Sequence, residues 1–295
     1  MSASAASPPV LAPPLARDAR AKRPHTWTIW RWELRKLVSQ KRTYLGLGLA
    51  VILPLIFVLV QRLRDHPGHD RGNIFASHIT QSGLATPVLM LLFLSVFMLP
   101  LIAALVAGDI VAAEDGNGTL KTILTRSADR GQVFAAKALA AFTYATIAVL
   151  LSAVVATGAG VVSWGFHSVV TFSGTVVSAS EGLLLVFASN ACYLIPLFAV
   201  VSIGVLLSTI THNSAAAVVG TIGFTIVLFI VAQIPGVEAI KPYLLTEQYE
   251  NWHGLLRTPT DWAPILHSLW VCALYAGASL TAAYLVFLRR DVAGG

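Results

Sequence analysis

Of the 295 residues, 56% are apolar and only 12% are charged, with a net charge of +6 and a mean hydropathy of +0.73. So few charges cannot cover the surface of a soluble globular domain, where about a quarter of residues are charged. The same balance excludes long-range disorder and nucleic-acid readout as the main function, and it defines a multi-spanning membrane protein.

The first 25 residues are rich in Ala, Ser and Pro and are expected to be disordered. They do not read as a cleavable signal peptide, because the first apolar run starts near residue 44. Residues 26–42 follow as a predicted amphipathic helix. Trp27, Trp30, Leu34 and Leu37 share one helical face, and Arg31, Arg35 and Lys36 lie mostly off it. Tryptophan with basic residues suits a helix lying in the cytoplasmic interface of a membrane.

Charge-free runs place the spans. Nineteen uncharged residues separate Arg42 from Arg62, 37 separate Arg71 from Asp109, 43 separate Lys137 from Glu181, 56 separate Glu181 from Glu238, and 27 separate Asp261 from Arg289. A spanning helix needs about 20 mostly apolar residues. The fourth run is long enough for two, split at Ser208–Ser214. Six helices result, near residues 44–60, 84–107, 134–162, 182–207, 215–232 and 266–287, within a transmembrane region 43–291. Continuous apolarity, without alternation, argues against a β-barrel.

Lysine and arginine placement sets the orientation. With the N-terminus inside, fifteen basic residues are cytoplasmic and five are outside. The predicted fold class is an all-α membrane protein of six transmembrane helices, with an N-terminal interfacial helix and both termini cytoplasmic, in the cell membrane.

Several polar residues have simple roles. Glu181, just after Ser178, reads as a helix cap. His66, His69 and Asp70 form a cluster in the first outer loop, but no further ligands converge on it, so no metal is expected. In the outer loop 233–265, Leu245, Tyr249, Trp252 and Leu256 fall near one face and predict a short helix on the outer leaflet, with Tyr243 and Trp262 in the aromatic belt. Gly158, Gly160, Gly220 and Gly223 are read as sites of close helix packing. Cys192 and Cys272 lie in apolar runs and point to neither a disulfide nor a zinc site.

The loop 108–133 between spans two and three is the most informative. Asn117-Gly118 makes a turn, Thr119 can cap a short helix carrying Leu120, Ile123 and Leu124, and Asp129 can cap the next helix. The pattern Gly108-Asp109, Glu114, Gly118-Thr119-Leu120-Lys121, Leu124, Arg130 and Lys137 resembles the cytoplasmic loop of type-2 ATP-binding-cassette (ABC) permeases, the membrane subunits of exporters. The resemblance extends to the interfacial helix, the six spans and the long outer loop. Ser127-Ala128 depart from it, where many members carry a proline.

The resemblance implies that this loop is a coupling helix docked on a separate ATPase subunit. Leu120, Ile123 and Leu124 would form its apolar ridge, with Glu114, Lys121 and Arg126 on the polar rim; Gly118, Thr119 and Arg130 belong to the same motif. It also implies a second permease chain, as homodimer or heterodimer; the apolar, charge-free spans suit a hydrophobic or amphipathic cargo such as a drug, lipid or peptide. No Gly-x-x-x-x-Gly-Lys-Ser/Thr run occurs, so no catalytic residue or cofactor is expected on this chain, and ATP and magnesium would be held by the partner ATPase. Two other classes stand beside this one. An ion-coupled carrier would place ionisable groups near the midplane, and the spans hold none. A non-transporting membrane scaffold would need no docking helix.

Overall fold

The computed structural model describes residues 25–64, 82–119 and 129–289. The expected disordered tail up to residue 24, the His66, His69 and Asp70 cluster, and Leu120, Lys121, Ile123, Leu124 and Arg126 lie outside the described residues.

The described residues are mostly helical. Helix α1 (Thr26–Ser39) starts where His25 Nδ1 accepts from the Trp27 amide. It ends at Gln40, whose extended backbone separates it from α2 (Lys41–Arg64). Helix α3 (Ala85–Leu94) and helix α4 (Met98–Ala107) follow, then the five-residue α5 (Ala112–Gly116). Helix α6 (Arg130–Trp164) begins at Asp129, whose carboxylate accepts from the Gly131 amide, as the sequence predicts. It runs for 35 residues, or about 50 Å, well beyond the roughly 30 Å hydrocarbon core of a bilayer.

A two-stranded antiparallel hairpin, β1 (Val169–Val170) and β2 (Val176–Val177), leads into α7 (Ala179–Ile210). The predicted cap at Glu181 is present as a full capping box with Ser178. Helix α8 (Ser214–Ala232) is capped by Asn213, which accepts from the Ala215 and Ala216 amides. Two 3₁₀ segments, Lys241–Tyr243 and Leu245–Leu256, precede the last helix α9 (Ala263–Arg289).

Among the described residues, five helices are long and apolar enough to cross a membrane, and a sixth crossing is made if α3 and α4 count as one. The expected continuous helix over 84–107 is in fact two helices bent by 62°. Pro100 explains the break. It has no N–H to donate to the Val96 carbonyl four residues back, and its ring crowds that carbonyl. The chain therefore leaves the helical path over Ser95–Phe97 and resumes at Met98.

Helix α7 is the centre of the bundle: 61% of its most apolar stretch is buried, against 22–39% for the other four long helices. Helices α4, α6 and α9 and the 3₁₀ helix all pack on it. Many exposed apolar residues lie on the outer helices, such as Leu55 and Leu59 of α2, Val219 and Val227 of α8, and Leu266 and Leu274 of α9. Apolar surface on the outside as well as in the core suits a bilayer solvent.

The predicted pattern Leu245, Tyr249, Trp252 and Leu256 does form one helix, but of 3₁₀ type, and all four side chains are buried in the main core. Instead of lying on the surface, it plugs the hairpin end of the bundle between α7 and α9. Tyr243 and Trp262 stay exposed beside it.

Of the four glycines expected at close approaches, only Gly160 has a backbone against it. A Cβ there would collide with the Gly83 carbonyl and with Thr86. Gly158 and Gly223 face open space, and Gly220 meets only the end of Leu207. Contact at the opposite end falls to Gly108, where a Cβ would lie 2.8 Å from the Val218 amide nitrogen.

Candidate functional site

The ends of α1, α4, α6 and α7 and the start of α8 converge around residues 108–119, at the end of the bundle opposite the hairpin. Buried charge is concentrated there. Lys137 of α6 is fully buried. Its ammonium lies 2.6 Å from Glu114 Oε2 and 3.3 Å from both Glu33 oxygens, and it donates to the Ile110 carbonyl at 3.1 Å. Lys36 completes the group: it pairs with Glu33 at 3.0 Å and contacts Glu114.

Two ammonium groups and two carboxylates thus cancel, with Lys36 alone substantially reached by solvent. Burial alone would raise the Glu114 pKa, but Lys137 and Lys36 outweigh it and hold the carboxyl below its ordinary value. Burial would likewise lower the Lys36 pKa, and Glu114 and Glu33 outweigh it and hold the ammonium above its ordinary value. Both groups stay charged at neutral pH, and each carboxylate finds cations in place of water.

A second set of contacts fixes the same segment from the other side. Asp109, buried at the end of α4, contacts Arg42 of α2 and the Ser214 hydroxyl at the start of α8. Asp115 contacts His212 in the turn before α8. The first turn of α5 has no cap of its own, and Ser208 of α7 supplies one. Its hydroxyl oxygen accepts from the Val111 and Ala112 amides at 3.0 Å each, satisfying donors that a helix start leaves open.

The residues singled out in the sequence fall as follows. Glu114 is turned into the bundle and does not stand on an exposed rim, because Lys137 and Lys36 hold it there. Gly118 has φ of +69°, a left-handed turn for which glycine is suited, and both Gly118 and Thr119 are exposed. The Thr119 hydroxyl donates back to the Glu114 carbonyl at 3.2 Å. Arg130 donates to the Leu288 carbonyl at 2.9 Å, tying α6 to the end of α9.

On α1 the inward face is centred on Ile29, Glu33 and Leu37, with Trp30 and Leu34 packed beside them. Trp30 also donates from its indole nitrogen to Thr143 Oγ1 at 3.2 Å. Trp27 is mostly exposed, its ring 4.1 Å from that of Trp30. The predicted apolar stripe is therefore rotated by about one residue, since Glu33 is drawn inward to Lys137.

Glu33 and Arg42 were not singled out as site residues from the sequence, and Ser208, His212 and Ser214 were read only as part of the break between two spans. A signal existed for Glu33 alone. It is the one acidic residue in a basic helix, and it lies four residues from both Ile29 and Leu37, on the buried face.

By its helices and their apolarity, the chain is a helical, multi-pass membrane protein whose largest buried charge network sits at one end of the bundle. It belongs to the family described as protein of unknown function (DUF2705), whose model matches residues 49–293. No curated protein matches the chain.

Proposed function

We propose that the chain is the membrane subunit of an ATP-driven exporter of the type-2 ABC class, moving a hydrophobic or amphipathic compound. The observation that carries this reading is the anchoring of residues 108–119. One short segment is held by buried ion pairs and caps to α1, α2, α6, α7 and α8 together. A push on the loop that follows it would be delivered to most of the bundle at once, as a docking loop driven by a motor requires.

In this reading the network end faces the cytoplasm, with both termini there and the 3₁₀ helix outside. Helix α1 lies in the cytoplasmic interface, presenting Trp27, Trp32 and Val38 with Arg31 and Arg35 outward. The loop through Leu120, Lys121, Ile123 and Leu124 docks on a separate ATPase, which holds ATP and magnesium. A second permease chain, identical or not, completes the complex in the lipid bilayer.

Substitution of both Leu120 and Leu124 by Asp tests the docking ridge. It is expected to abolish stimulation of the ATPase while leaving membrane insertion intact. Normal stimulated turnover in the double variant would remove the coupling role.

A further inference from the structure

Away from the ion network, the break between α3 and α4 is the main irregularity in the bundle interior. The Tyr193 hydroxyl of α7 donates to the Ser95 carbonyl at 2.7 Å, so a carbonyl at the break finds a donor inside the bundle. Tyr193 is fully buried. Its ring meets that of Tyr249 edge-on, with centroids 6.1 Å apart and planes inclined by 63°. One side chain therefore touches both the seat of the 3₁₀ helix and the break in the span. Beyond the break, α4 runs directly into Asp109 and the 108–119 segment.

The 3₁₀ helix is weakly held for a buried element. Twelve residues is long for this geometry, whose hydrogen bonds are poorer than those of an α-helix. The Tyr249 hydroxyl and the Trp252 indole N–H are buried with no hydrogen-bond partner among the described residues. Leaving them unpaired in the interior costs free energy, so less is lost when this helix shifts.

We propose that Tyr193 is a positioning residue that ties the seating of the 3₁₀ helix to the angle of the broken span. A shift at the hairpin end is then passed through α4 to residues 108–119 at the other end. This deepens the transport reading, since it supplies the route by which the two ends of the bundle act together.

Hydrogen exchange on the full chain in lipid nanodiscs tests it, with no ATPase present. Tyr249→Leu, which removes the edge-on ring contact with Tyr193 and loosens the seat, is expected to speed exchange at residues 112–118 by about fivefold, the scale of one lost aromatic pair. In a Tyr193→Phe background the same substitution should still speed exchange at 245–256 but leave 112–118 unchanged. If Tyr249→Leu does not fold, Gly254→Ala serves, because its Cβ would collide with the Asp261 carbonyl and shift the same helix. An equal response of 112–118 in both backgrounds, or in neither, overturns the proposal. ATPase stimulation is a separate measurement, so either idea can fail alone.

Discussion

The Lys137 ammonium and the Glu114 carboxylate meet at 2.6 Å, joining the base of α6 to the short helix after α4. Lys137 has no exposed surface, whereas the side chain of Lys36, which serves the same carboxylates, is 41% exposed. Removing one partner of a buried pair strands the other without compensation. Lys137→Met is therefore expected to cost about 3–5 kcal/mol, measured by denaturant unfolding in detergent. Lys36→Met should cost no more than about 1 kcal/mol, as exposed pairs do. Equal losses would show that the network is not centred on Lys137.

The same network defines a pH dependence. Glu114 is held below its ordinary value of 4.5, so its contribution is present above that value and is lost as pH falls through its lower native value. Lys36 is held above 10.5, so its contribution is present below that value and is lost as pH rises through its higher native value. Across neutral pH the stability difference between the native chain and Glu114→Gln should be flat, and it should shrink on acidification below 4.5. A difference that instead grows in acid would contradict the assigned direction.

Two glycines on one helix should respond oppositely. Gly160→Ala forces a Cβ into the Gly83 backbone and should cost about 1–3 kcal/mol. Gly158→Ala meets nothing within 4 Å and should gain up to about 1 kcal/mol of helix propensity. Thermal unfolding of the two single variants decides this, and a loss at Gly158 would mean that its face packs on something else.

Orientation can be read by impermeant thiol labelling of vesicles of known sidedness, in a chain without its native cysteines. Asn117→Cys and Glu250→Cys are both at exposed positions, at opposite ends of the bundle. Cysteine at 117 should label only from the cytoplasmic side and cysteine at 250 only from the outside. The reverse pattern would invert the topology.

Much of the helix layout was legible in the sequence, because a bilayer demands long apolar runs and these are bounded by charges. Caps at Asp129 and Glu181 were legible for the same reason that local chemistry always is: both partners sit within three residues. The break at Ser95–Phe97 was only half legible, since a proline can break a helix, but Pro54 and Pro196 lie inside α2 and α7 without ending them. The 3₁₀ helix showed its face but not its depth, because a stripe of Leu, Tyr and Trp suits a lipid surface and a bundle core equally well. The network around Lys137 was the least legible part. Its members come from residues 33, 36, 114 and 137, and no spacing in one sequence tells which distant charges will meet.

The most direct test of the central claim is a mild-detergent pull-down of the tagged full chain. The account predicts that a soluble P-loop ATPase accompanies it, and that Asp at both Leu120 and Leu124 releases that ATPase. Purification of the native chain alone, as a stable oligomer with no ATPase bound, would contradict it.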